Sequence, residues 1–525
     1  MDDEVKVGST RGRDDGVKVH HSGAHSTTVL ASSVVSPCRP EPTNALPAPP
    51  LQTATVKSLQ WHSRRGHIHR DPHHCRGVLF RHFHLGTYTS PSPSQHQPIP
   101  SPWLPGIRYL SKHCVERFVM IGELLNREDY DIVLLQEVWS EKDVLYLRKV
   151  LSSIYPHSHH FKSGVIGSGL AVFSKHRIHD AFLYRFSLNG YPYMAPAWRL
   201  VGGKAVGMVQ VKISGLMAHI YVTHLHAEYS REKDGYLPHR MVQAWELQHF
   251  IRADLVIVGG DLNMHPQDLG CRLLRAYTGL RDCYTDTDHF DGCENGFTLI
   301  AKNPFINEKE LGPFEKGIRI DYILFKGSNR VTVKCESLST TQGSYPGRAF
   351  PLSDHEALSA QLLLVPSDPD GHQGEPESQE EETGRLAELV DLVTEARTEV
   401  KVGVHCAQRK RYSAARTGAM GLALLLLELA MAAVPWLAQA AAQQPFPRAT
   451  FYLLGALCFC LLLCSAVLWL FHSTELKSLQ GADDHMRIAN ASLQEALKGS
   501  TPPLLRPAHG GAAANQHADH ACKEE

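Results

Sequence analysis

The chain has 525 residues, 43% of them hydrophobic and 20% charged, with a formal net charge of −1. As a soft prior this is about three domains' worth of chain with an ordinary core-forming composition, and the near-neutral balance excludes a basic field over the whole surface of the kind that nucleic-acid binding rests on. Twelve Cys stand singly with no CxxC pair, which argues against structural zinc and a disulfide framework, so a reducing, cytosol-facing soluble part is expected.

The N-terminus, MDDEVKVGSTRGRDDG, is charged and lacks an apolar core, so no cleavable signal peptide is expected. Residues 1–105 hold 11 of the 32 His, many Pro and Ser, and no sustained apolar periodicity. Within them WHSRRGHIHRDPHHCRG reads as a metal-binding His tract or, more simply, as disorder. The whole segment is expected to lie outside the folded domain.

Residues 106–365 read as a globular α/β domain. Val115, Phe118, Val119, Ile121, Leu124 and Leu125 recur at helical spacing between Tyr109 and Asn126. DIVLLQEVW (131–139) predicts a buried strand with Gln136 and Glu137 at its end. Strands are also expected at 168–174, 204–213 and 217–227, the last two as a hairpin around Ser214 and Gly215. PHRMVQAWELQHFI (238–251) predicts an amphipathic helix with Pro238 near its start. Strands at 254–263, 319–325, 330–338 and 356–365 complete the set. Adjacent strands mixed with α-β pairs argue for packed sheets flanked by helices.

Residues 366–416 read as a polar linker, beginning with the acidic SDPDGHQGEPESQEEETG, which cannot bury a core. Two apolar runs follow at about 418–440 and 450–471, each long enough to cross a bilayer as a helix. Trp469 and Phe471 stand at the end of the second, as an aromatic belt would place them. The first run contains Glu428 and Pro435. The alternatives are a buried helical hairpin of a soluble protein and a re-entrant or interfacial first run. Lys401, Arg409, Lys410, Arg411 and Arg416 precede the first run, and only Arg448 lies between the two. The positive-inside rule therefore puts the preceding domain and the tail (473–525) in the cytosol, where NAS (490–492) would stay unglycosylated.

Five clusters carry chemistry: QEVW (136–139), THLHAEY (223–229), GGDLNMHP (259–266), RIDY (319–322) and PLSDHEA (351–357). Each has a plain reading. Glu137 can be an exposed strand end. His224 and His226 share a strand face, as a ligand pair or as polar sheet surface. Asp261 and Asn263 can mark a turn, and Asp354 with His355 a helix start. As an ordered set they suit metal-assisted phosphoryl hydrolysis. A carboxylate holds a hard cation through oxygen, the cation polarises the phosphate, and a His held by an acid takes a proton from water.

This set resembles the endonuclease/exonuclease/phosphatase family of DNase-like, metal-dependent phosphodiesterases, with its LLQE, TH, GDLN, D-Y and SDH motifs in order. The longer stretches YLSKH, EVWSE, YPHSHHFKSGVIGSGLAVFSKH, LNGYPYM, GGKAVG, VTHLHAEY, AWELQHF, GDLNMHPQDLG, IDYILFK and PLSDHEAL resemble the neutral, Mg²⁺-dependent sphingomyelinases within it, from Gly106 to about Val365. The two apolar runs are similar too. The resemblance implies a four-layer α/β sandwich with the site at the shared edge of two sheets, followed by a two-helix transmembrane hairpin.

The same resemblance implies roles. Glu137 matches the Mg²⁺ ligand. His355 matches the general base, with Asp354 orienting it or assisting the metal. Asp261 and Asn263 match the pair that contacts phosphate and the attacking water. His224 matches the residue that stabilises a phosphoryl oxygen or protonates the leaving group. Asp321 matches the acid that orients a catalytic His, and Lys204 can aid the phosphate. The implied reaction is hydrolysis of sphingomyelin to ceramide and phosphocholine, or phospholipase C action on choline lysophospholipids such as lyso-platelet-activating factor, with no nucleic-acid substrate. The implied place is the endoplasmic reticulum, with Golgi or nuclear envelope as alternatives. One departure stands out. The family's first strand ends in Asn-Cys-Trp-Gly, and its Asn belongs to the metal site. Here no Asn occurs between Asn44 and Asn126, and Trp103 stands in the corresponding place. The first strand is expected to be lost from its slot, and a catalytically impaired chain is the alternative to the active enzyme.

Overall fold

Three runs, IVLLQ (β2, Ile132–Gln136), LAVFS (β4, Leu170–Ser174) and LVIVGGD (β8, Leu255–Asp261), are buried at every residue. Continuous apolar strands of this kind need cover on both faces, and they receive it from a second sheet on one side and helices on the other. The computed structural model describes residues 81–89 and 113–500, apart from 165–166, 191–202, 214, 229–230, 232–233, 252, 254, 307–310, 312, 344–346, 349, 367–377 and 438–447. The His tract at 61–77 and Trp103 lie outside these.

The remaining strands are β1 (Arg81–Thr89), β3 (His157–Phe161), β5 (Ile178–Arg185), β6 (Ala205–Ile213), β7 (Leu216–His224), β9 (Arg281–Asp282), β10 (Phe290–Asp291), β11 (Leu299–Ile300), β12 (Gly317–Ile318), β13 (Asp321–Lys326), β14 (Val331–Thr340) and β15 (Leu358–Pro366). One sheet has the order β10-β14-β15-β1-β2-β4-β3, the other β5-β6-β7-β8-β13-β9, and β11 and β12 form a small ribbon. Leu134, Phe161 and Val172 of the first meet Val209, Ile220 and Ile257 of the second in one core. Gly207 of β6 makes room there, since a Cβ would stand 2.5 Å from the Phe161 ring.

Helices α1 (Cys114–Glu128) and α2 (Glu141–Leu151) cover the outer face of the first sheet. Helices α3 (Leu237–Phe250) and α4 (Leu269–Thr278) cover the second. A single turn, α5 (Cys283–Asp286), follows β9. Sheets and helices thus stack in four layers, as the sequence leads one to expect.

Residues 81–89 depart from two expectations. They do not lie outside the domain, and the first-strand slot is not empty. β1 pairs antiparallel with β15 (Arg81↔Leu364 to Thr87↔Leu358) and parallel with β2 (Leu85↔Ile132 to Thr89↔Gln136). The physical reason is that β2 and β15 each expose a row of unpaired N–H and C=O groups, and any chain of strand geometry satisfies them. The sequence RHFHLGTYT supplies the ladder but no Asn.

The linker expectation is also corrected. Helix α6 runs unbroken from Gln379 to Leu437, and α7 from Arg448 to Ser500. Glu380, Glu381 and Glu382 fall in the first turn of α6, where acids complement the helix dipole. Before its apolar run, α6 buries Leu392, Val393, Ala396 and Val400 with Leu476, Leu479 and Met486 of α7, against Met241, Val242 and Trp245 of α3. The most apolar windows of α6 and α7 are only 11% buried. Leu426, Leu427, Leu429, Leu453 and Phe459 are more than half exposed. A soluble hairpin would bury that surface, so the pair fits membrane anchoring.

Candidate active site

Four strand ends and one turn converge at one edge of the sandwich. β7 and β8 are parallel, with His224 opposite Asp261 at their C-terminal ends. β13 runs antiparallel to β8 and brings Asp321 opposite Asp261. Gly260 allows the close approach, because a Cβ there would lie 2.0 Å from the Thr223 carbonyl oxygen. Glu137 follows the end of β2, and β2 faces β7 and β8 across the core. The turn Ser353–His355 precedes β15.

Two of these residues sit in the left-handed region, Glu137 at φ 60° and Asn263 at φ 50°. Glu137 is further shaped by Gly169, whose Cβ would stand 3.1 Å from the Glu137 Cα. Asn263 closes a turn: its N–H donates to Asp261 Oδ1 (2.8 Å), and its side-chain amide donates to Asp261 Oδ2 and the Leu225 carbonyl (both 3.0 Å).

His224 stands between two acids. Its Nε2 is 3.2 Å from Asp261 Oδ2, and its Nδ1 is 4.0 Å from Glu137 Oε1. Burial pushes the Glu137 carboxyl above its usual range, with the charge of His224 opposing. Burial works the same way on Asp261, but the hydrogen bond and charge of His224, with His355 and Lys204 beyond, hold its pKa below the usual value. Lys204 is half-buried immediately before β6, and its charge acts on both acids.

His355 Nδ1 donates to Asp321 Oδ2 at 2.8 Å, with the side chains 11% and 5% exposed. Burial alone would lower the His355 pKa. The Asp321 charge and hydrogen bond, then Asp261 and Asp354, reverse this and hold it well above 6.5. Asp354 lies 3.5 Å from the Arg117 guanidinium and accepts from the Ser353 hydroxyl at 3.1 Å.

Asp261, Asp321 and His355 each offer a ligand atom within 4.8 Å of the others. Because His355 Nδ1 is engaged by Asp321, we read this group as an oriented imidazole beside a second acid rather than a cage. Glu137 suits a hard cation better. Its Oε2 is buried without a hydrogen-bond partner among the described residues, and an orphaned carboxylate oxygen of raised pKa is what a divalent cation satisfies.

Three supporting residues escape sequence reasoning. Arg117 is fully buried on α1, donates to the Leu352 carbonyl at 2.9 Å and lies over the Phe305 ring. Burial lowers its pKa to about 10. Its signal was a charge on the apolar face shared by Cys114, Phe118 and Ile121. Thr298 Oγ1 accepts from the N–H groups of Ile320 and Asp321. Asn303 donates to the carbonyls of Ser353 and Asp354. Neither Thr298 nor Asn303 lies in a motif, so the sequence carries no signal for them.

Two stacked mixed sheets that gather acids, an amide and imidazoles at their common edge are the architecture of the endonuclease/exonuclease/phosphatase class. Residues 113–355 match the profile of the Endonuclease/Exonuclease/phosphatase family. The chain is 43% identical to sphingomyelin phosphodiesterase 2 of Mus musculus over 409 residues, covering 76% of this chain and 93% of that protein. It is 48% identical to the Homo sapiens protein of the same name, covering 62% and 76%. A putative neutral sphingomyelinase of Caenorhabditis elegans is 40% identical, covering 51% and 64%. The chain belongs to the endonuclease/exonuclease/phosphatase family, on its neutral sphingomyelinase branch.

Proposed function

We propose that the chain is a membrane-anchored, Mg²⁺-dependent phosphodiesterase that hydrolyses sphingomyelin to ceramide and phosphocholine. The observation that carries this reading is the match over 93% of the length of a relative named for that activity. The site supports it. Asp321 fixes the His355 Nδ1–H, which leaves Nε2 as the general base for water. Asp261, kept ionised, and Asn263 line the place of the phosphate and the attacking water. His224 stabilises a phosphoryl oxygen or protonates the ceramide alkoxide, and Lys204 adds positive charge. Glu137 would hold Mg²⁺, which when bound supplies Lewis-acid neutralisation of the phosphodiester.

α6 and α7 would anchor this site to the membrane that holds its lipid, with the catalytic domain in the cytosol by the excess of Lys and Arg before the first run. The endoplasmic reticulum is the membrane we favour. Choline lysophospholipids share the headgroup and are the second substrate class to offer; nucleic acid is not a substrate in this reading. One observation favours a second reading, an impaired enzyme: β1 fills its slot without bringing an Asn.

The test is phosphocholine release from sphingomyelin micelles, with Mg²⁺ or chelator, beside a His355→Ala control. Metal-dependent release that the control loses supports the enzyme. Absence of release from the natural chain, with release restored by an Asn-bearing first strand, supports the impaired reading. Equal release with chelator overturns the metal assignment. Cleavage of plasmid DNA in place of lipid overturns the substrate.

A further inference from the structure

The catalytic domain and the membrane helices meet at a buried charged junction that the reaction does not use. Glu475 lies on α7, four residues or about 6 Å past Phe471 at the end of the apolar run. Its carboxylate is 3% exposed and bridges two imidazoles. His239 Nε2, from the first turn of α3, is 3.1 Å from Oε1. His472 Nδ1, on α7 itself, is 2.7 Å from Oε2. Lys410 of α6 adds its charge. Burial opposes ionisation, but the hydrogen bonds from His239 and His472 bring the Glu475 pKa down to about 2.

A buried acid is a poor way to glue helices, since well-packed apolar residues do as well or better. What it adds is a directional, single-register contact. Gly403 of α6 supplies the matching close approach, because a Cβ there would stand 2.6 Å from Pro238 Cβ on α3.

From this junction α3 leads straight to the site. Gln243, one turn beyond His239 on the same face, donates to the Leu188 carbonyl at 2.7 Å and accepts the His226 N–H at 2.8 Å. His226 is two residues from His224. A short, buried path thus joins the membrane helices to a catalytic strand end.

We propose that Glu475 is a positioning residue: with His239, His472 and Gly403 it clamps α3 to the membrane stem and so fixes how the catalytic edge faces the bilayer. The proposal rests on the phosphodiesterase reading above. It predicts that breaking the clamp impairs attack on lipid in a bilayer and spares attack on a soluble ester.

The test uses the full chain reconstituted in bilayers that contain sphingomyelin, with p-nitrophenyl phosphorylcholine as the soluble probe. Glu475→Gln removes the charge, and Gly403→Val wedges the contact without touching a charge. Both are expected to lower bilayer turnover about tenfold, through kcat, and to leave the soluble ester within twofold of the natural chain. Equal losses on both substrates would mean a purely structural role and overturn the proposal, as would full activity on both. If the natural chain hydrolyses neither probe, the functional reading fails instead. The clamp is then decided by hydrogen exchange in α3, which the proposal expects to quicken in both variants and which overturns it if unchanged.

Discussion

Asp321→Asn isolates the contact on which the proposed chemistry turns. The substitution keeps size and an accepting oxygen, so the His355 ring can stay in place, but it removes the charge 2.8 Å from Nδ1. Both side chains are nearly buried, so solvent screens the pair little. A hydrogen bond to a charged group under these conditions contributes about 1.5–3 kcal/mol. If that interaction strengthens as His355 takes a proton from water, its loss slows turnover about tenfold to a hundredfold. The sign of the pH effect follows from the same contact. Asp321 raises the His355 pKa, so its removal moves the acid limb of the rate profile to lower pH. The assay is phosphocholine release from sphingomyelin micelles at saturating substrate across a pH series. Unchanged kcat with an unmoved acid limb would refute the assignment of Asp321 and His355 as orienter and base.

Three further outcomes are expected. In chelator, the His355–Asp321 pair contributes stability that is fully present below about pH 6.5, the unfolded value, and is lost as pH rises through the raised folded value. Urea midpoints of the natural chain and His355→Gln should therefore converge as pH increases. Arg117→Leu removes a buried cation beside Asp354 and should cost about 3–5 kcal/mol, read as a lower urea midpoint that Arg117→Lys partly restores. Deleting residues 1–90 strips the strand between β15 and β2; the product should aggregate in detergent that keeps the natural chain dispersed, whereas a dispersed product that unfolds cooperatively would remove β1 from the fold.

The parts that were legible in the sequence share a cause. β2, β4, β8 and β13 are dense runs of Val, Ile and Leu whose burial on two faces writes itself into composition. Glu137 follows β2, Asp261 ends β8 and Asp321 opens β13, with His224 at the end of the neighbouring β7, so locating the strand ends located all four. What escaped depends on partners far away in the chain. RHFHLGTYT has no apolar run and becomes a strand because two neighbours 43 or more residues off lack pairing otherwise. HSHHF of β3 takes its conformation from β4 in the same way. The charged stretch 379–416 reads as linker because its apolar face appears only against α3 and α7. The neighbours of Asp321 and Asp354 were not legible in the sequence, because the His355 imidazole beside one and the Arg117 guanidinium beside the other come from distant parts of the chain.

The backbone at Glu137 and Asn263 has a consequence for how this chain can change. L-residues in the left-handed region cost roughly 1–2 kcal/mol relative to ordinary conformations, less for Asn, and glycine avoids the cost. The two positions to which the proposed function assigns a carboxylate and an amide are therefore ones where glycine would make a more stable protein. Selection for heat resistance alone would drive both toward glycine and leave a hardier, inert chain; the tension between endurance and catalysis is written into two backbone torsions.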